Sequence, residues 1–184
     1  MFEKDYTFYG KHARYVTQLT SDLKDLEKTP IFQKNLDVYK FASVIGIVYG
    51  RQGEIDKSKK DLEDEKVDIR KISGTQMITI SAELEYIYEL IMINHRKKVD
   101  DIEKRIDRAF RYTKNEELQK EGEEIFNSYV LGGVEVLYEK IFKEDTDTDQ
   151  ILANLYDFIE EFNDKYGEEI ETLDIDEIMR TLKD

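Results

Sequence analysis

Only a few residues in this chain have the type and spacing that chemistry requires. There are two histidines, His12 and His95. They lie far apart, and neither sits in a metal-ligand spacing such as His-Glu-x-x-His. Each is expected at the surface or capping a helix end. Asp145, Asp147 and Asp149 open like a calcium loop. That loop needs glycine at its sixth position and a bidentate glutamate at its twelfth. Gln150 and Tyr156 stand there instead, so the string reads as a solvated helix entry whose carboxylates favour the positive helix end. Gly50 and Gly53 lack the lysine and the hydroxyl residue of a phosphate loop, and Gly50 is expected to end a helix. Gly132-Gly133 permits a sharp reorientation or a close helix approach; an interruption or kink of the helix is expected there. Glu85 with Glu89, or Glu121 with Glu124, can share a helix face, but the di-iron pattern needs Glu-x-x-His and the sequence has none. No serine or threonine has an evident histidine partner. Cysteine is absent, which removes disulfides and thiolate metal sites. The residues therefore point to no catalytic, cofactor or metal site, and to a protein that is not an enzyme.

One constellation carries a stronger signal. Lys97, Lys104, Arg108 and Arg111 are spaced by seven, four and three residues, so one helix would carry them on one face. Val99, Ile102, Ile106 and Phe110 would form its buried side. Arg96 to Lys114 holds 8 basic and 4 acidic residues. Such a stripe fits phosphate contacts within a complex, a solvated face threaded with ion pairs, or docking to an acidic segment of this chain or of a second copy.

The elements that would position these residues follow from apolar periodicity. A first helix is expected from about Lys11 to Glu27. Thr29-Pro30 reads as the cap and first residue of a second, which runs to about Tyr49. Its apolar residues surround the circumference, which makes it the expected central, most buried helix. Residues 50–74 form a candidate mobile charged loop, with a short extended arm near 66–72. Thr75 is a candidate cap for a helix to about Asn94. The basic helix follows, then one capped by Asn115. Asp147 with Gln150 resembles a capping box for a helix ending at Gly167. A last helix is expected from Ile175 to Leu182. The fold class is all-α for the most part: a compact bundle of about seven helices in one domain, 1–184.

Composition agrees. The chain has 184 residues, 40% hydrophobic and 38% charged, with one proline and nine glycines. These proportions suit a folded helical protein with a charged surface. Met1 to Gly10 has no apolar core segment, so no signal peptide is expected. The longest strongly apolar run, Phe41 to Gly50, is too short to span a bilayer, and a cytoplasmic protein without membrane contact is expected. The net charge of −14 is uneven. Residues 145–184 hold 14 acidic and 3 basic residues, a balance that repels phosphate backbones and attracts basic partners. Asp174, Asp176 and Glu177 are its candidate contact residues, and an acidic inhibitor that imitates nucleic acid is the alternative reading.

The stretches Ile31 to Asp56, Ile106 to Tyr112 and Phe126 to Phe142 resemble small helical accessory proteins of bacterial antiphage-defence operons. The resemblance implies an assembly subunit beside a larger ATPase or nuclease. It implies a surface that includes Arg51, Arg108, Arg111 and the Gly132-Gly133 turn. A homo-oligomer is compatible with it. Twelve tyrosines suit an interface. The expected function is that of a non-catalytic adaptor acting through protein–protein contacts.

Overall fold

The computed structural model describes residues 2–24, 26, 29–56, 68–96, 101–111, 116–142 and 147–167. Among these, strand β1 (Tyr6–Tyr9) leads into helix α1 (Gly10–Thr20), and α2 (Asn35–Val48) follows. Then come β2 (Ile69–Ile72), α3 (Gly74–Thr79), α4 (Ser81–Asn94), α5 (Ile102–Phe110), α6 (Glu116–Ile141) and α7 (Thr148–Tyr166). The expected mostly-α fold is what the chain adopts. The chain divides into two compact units, 1–138 and 139–184.

In the first unit, β1 and β2 pair antiparallel, with Tyr6 opposite Ile72 and Tyr9 opposite Ile69. The described part of the expected extended arm is thus a strand, and its partner is an N-terminal strand that periodicity did not reveal. The hairpin-like pair is pinned at one end by Asp5, whose carboxylate accepts from the Gly74 N–H at 2.7 Å and meets Lys71 Nζ at 2.6 Å. Residues 57–67 of the candidate mobile loop lie outside the described residues.

Several helix boundaries differ from expectation. The first helix stops at Thr20, seven residues early, because the chain turns extended at Ser21 and Asp22 bridges Pro30. Pro30 therefore sits in that bridge and not at a helix start. The second helix begins at Asn35, where Asp37 Oδ2 accepts from the Lys34 N–H at 3.0 Å. Gly50 does end it, at φ 62°. Ser73, not Thr75, caps the next helix: its hydroxyl accepts from the Gln76 N–H and the Gln76 side chain accepts from the Ser73 N–H. The long helix expected from there is broken at Ile80 (φ −123°, ψ 19°) into α3 and α4, next to the β-branched run Ile78-Thr79-Ile80 that favours extended backbone.

The core of this unit is aromatic. The Phe126 ring lies 5.1 Å from Phe2, 5.8 Å from Tyr39 and 6.3 Å from Tyr88, centroid to centroid. Tyr39 in turn packs on Tyr6 at 4.7 Å. Edge and tilted contacts of this kind add to the area that the rings bury. The most enclosed stretch is on α6, where residues 129–137 are buried without a break, and not on α2, whose Phe41 is 52% exposed. Helix α6 is continuous through Gly132-Gly133, without the expected interruption. The glycines serve the other purpose, close approach. A Cβ on Gly133 would overlap the Ala42 carbonyl oxygen, and one on Gly46 would overlap that of Tyr129. The two helices cross backbone to backbone, each with a glycine at the contact.

In the second unit, Asp147 caps α7, accepting from the Gln150 N–H at 2.9 Å. Gln150 turns its amide to Asn154 instead of back to the cap, so only half of the box forms. The buried Asn154 amide donates to the Ile141 carbonyl at 3.1 Å, and Lys140 meets Glu161. These bonds fix which side of α7 faces outward. The helix expected at 175–182 lies outside the described residues.

A buried carboxylate hub as the candidate functional site

The densest polar constellation gathers around one carboxylate, Glu135. It is the sole charge in the run Tyr129 to Tyr138, and its side chain is 9% exposed. Helix α1 supplies Lys11 and His12 from its first turn. Gly10 makes that turn possible at φ +55°, and a side chain there would strike Asp56. Asp56 Oδ2 accepts from the Lys11 N–H at 2.8 Å and so satisfies one orphan donor of the helix start. The segment after α2 supplies Arg51. It lies along α6, with the Gly53 N–H donating to the Ser128 carbonyl and the Gln52 amide to the Ser128 hydroxyl.

Both oxygens of Glu135 are engaged. Oε1 is 2.8 Å from Lys11 Nζ and 3.1 Å from His12 Nε2, while Oε2 accepts from Arg51 Nε and an Arg51 Nη at 3.2 and 3.1 Å. Burial alone would raise the pKa of Glu135; the bonds from Lys11, His12 and Arg51 outweigh it, and the net shift is downward. The Lys11 pKa is raised, first by its bond to Glu135. An ionised carboxylate only accepts, so His12 turns Nε2–H to Glu135, and the lowered pKa of the ring favours its neutral form at neutral pH. Its Nδ1 is then a lone pair, buried and without a partner among the described residues. Burial, the largest cause, holds the His12 pKa below its ordinary 6.5 against the opposing pull of Glu135. Beside the hub, Tyr15 and Tyr138 stack at 3.8 Å and 10°.

The sign of the linkage follows. Below pH 6.5 the unfolded chain takes up a proton on His12 that the folded chain refuses, so stability declines as pH falls through that value towards the lower folded pKa. Glu135 adds a second loss below its ordinary 4.5. Thermal unfolding followed from about pH 7 to about pH 5.5 is expected to show a falling midpoint, and His12→Gln is expected to flatten that slope. An unchanged slope in the variant would exclude His12 as its source.

Sequence reasoning missed most of this site. Both histidines are buried, not at the surface: His12 fully, and His95 with Nδ1 3.1 Å from the Tyr129 hydroxyl. The spacing of His12 with Val16 and Leu19 and the isolation of Glu135 in an apolar run were the available signals. Of the expected site residues, only Arg51 belongs to the hub. Gly132 is buried against the Arg51–Gln52 backbone and Gly133 against α2, and they form no surface turn. Lys97, Asp174, Asp176 and Glu177 lie outside the described residues. Among the described residues no group of His, Asp or Glu is arranged to hold a metal ion, and no helix is long and apolar enough to cross a membrane.

The basic helix is turned relative to expectation. Lys104 and Arg111 are exposed, but Arg108 is 4% exposed. Its Nη2 meets Glu121 of α6 at 3.0 Å, and the Tyr88 hydroxyl donates to its carbonyl at 3.3 Å. Arg105 reaches the Ile93 carbonyl near the end of α4 at 2.8 Å. Specific bonds thus draw the arginines inward. Ile102, Ile106 and Phe110, expected to be buried, are 50%, 40% and 53% exposed. A continuous phosphate-binding stripe through Arg108 does not form on α5.

Over residues 11–176 the sequence matches the family model described as DNA sulphur modification system-associated protein 4. The chain belongs to this family. The system is a bacterial phage-defence-related operon, which agrees with the resemblance carried by the stretches at Ile31, Ile106 and Phe126. No curated protein and no solved structure matches the chain. The match takes in the hub, α5, α6 and α7 together. The family's description places the chain with a multi-protein modification system.

Proposed function

We propose that this chain is a non-catalytic accessory subunit of a DNA sulphur modification system and that it works by binding other proteins of that system. The observation that carries the reading is α5. Its arginines are spent on internal bonds, and it holds three large apolar side chains in water at i, i+4 and i+8. Contiguous exposed apolar surface of this kind marks an interaction site. The hub supports the same reading. Its central carboxylate, Glu135, already accepts from three side chains through both oxygens, which leaves it no free lone pair with which to take a proton from a substrate. The hub ties α1 and the 51–56 segment to α6. An ATPase or a nuclease of the system is the partner class that the resemblance implies.

The test is affinity purification of the tagged chain from its native host at moderate salt. A protein of the modification system is expected in stoichiometric amount. A chain that elutes alone would overturn the proposal.

A further inference from the structure

A second apolar face, on α7, carries a sign of charge and therefore points to a kind of partner. Leu152, Tyr156 and Ile159 recur at i, i+4 and i+7 and are 40%, 61% and 58% exposed. They form one stripe on the side of α7 opposite the buried Ile151, Asn154 and Phe158. The Asn154 bond to Ile141 holds that orientation. Asp149, Asp157, Glu160 and Asp164, all exposed, flank the stripe on one side, and residues 149–164 include no lysine or arginine. Glu160 accepts from the Tyr156 hydroxyl at 2.6 Å, which fixes the ring against the helix and lowers the entropy cost of using it as an anchor. The α5 stripe gives no such direction, because Lys104 and Arg111 mix with Glu103 and Asp107 around it.

We infer that the outward face of α7 docks into an apolar groove rimmed by lysine and arginine on a protein of the modification system. Spacing at i, i+4 and i+7 is that of a helix laid in a groove, and the carboxylate border selects a basic rim and speeds the encounter. The same border disfavours two other occupants. Two copies of this face would bring like charges together, and an anionic lipid surface would repel it. The inference rests on the accessory-subunit reading and names the surface through which it acts.

The test uses the full-length chain and the purified proteins of the system, each titrated separately by fluorescence anisotropy, with wild type, Y156A/I159S and D157K/E160K compared. One protein is expected to bind wild type. Y156A/I159S is expected to weaken that binding at least tenfold, and D157K/E160K is expected to weaken it and to reduce its dependence on salt. Because the altered side chains are exposed, the thermal midpoints should match wild type. If wild type binds and both variants bind equally well, the face is not the interface, and the accessory reading stands without it. If no protein of the system binds wild type, that reading and this inference fall together. A lowered midpoint in Y156A/I159S would show that the chain itself covers the face. A change from dimer to monomer in light scattering would show a second copy there. Either result overturns the inference.

Discussion

Gly133→Val is expected to abolish folding. At the crossing of α2 and α6 the added Cβ would overlap the Ala42 carbonyl oxygen, a backbone atom inside a helix that cannot swing aside. Four residues along each helix, Gly46 meets the Tyr129 carbonyl in the same way. To admit a side chain the helices would have to separate along the stretch where residues 129–137 are continuously buried. Overpacking commonly costs about 1–3 kcal/mol when side chains can yield. Here only backbone could yield, so the expected loss exceeds about 3 kcal/mol, a large part of the stability of an ordinary domain. Ala153→Val, on the exposed side of α7, adds two methyl groups to a Cβ already present at a solvent-facing position, and is expected to stay within about 0.5 kcal/mol. Soluble yield and urea unfolding of the two variants side by side measure the difference.

Glu135→Ala is the second large effect. It removes the one carboxylate shared by Lys11, His12 and Arg51. Removing one partner of a buried ion pair costs about 3–5 kcal/mol, because the remaining charge is left uncompensated. The low end applies here, about 3 kcal/mol, since Lys11 and Arg51 are 41% and 45% exposed and can turn to water. His12 cannot, and it loses its only hydrogen-bond partner among the described residues. Glu135→Gln is expected to fall between wild type and Glu135→Ala, because the amide keeps the shape and one acceptor but not the charge. Equilibrium urea unfolding checks both. A loss below about 1 kcal/mol in the alanine variant would mean that the hub does not tie its elements together.

Periodicity identified helices at α1, α2, α6 and α7 because each buries apolar residues at helical spacing. The Asp147 cap was visible because capping is local chemistry. Failures arose where a tertiary bond decided the outcome. An apolar stripe is ordinarily read as the inward face, but α5 turns Arg108 to Glu121 and Arg105 to the Ile93 carbonyl, and the stripe of Ile102, Ile106 and Phe110 rotates outward. A glycine pair reads as a break from sequence, whereas Gly132-Gly133 allows an unbroken helix to approach its neighbour. β1 is four residues long and acquires meaning only beside β2, whose paired residues lie 60 to 66 positions away. The hub assembles Lys11, His12, Arg51 and Glu135 from three distant parts of the chain, and no local pattern joins them.

The faces left outward give the fold its functional sense. Among the described residues α5 and α7 each leave three large apolar side chains exposed at helical spacing along one face. The measurement that tests this account most directly is native mass spectrometry of the assembly recovered with the tagged chain. The account predicts a complex that contains this chain and at least one larger protein of the DNA sulphur modification system in a fixed whole-number ratio. Detection of the single chain alone, from a host in which the system is expressed, would contradict it.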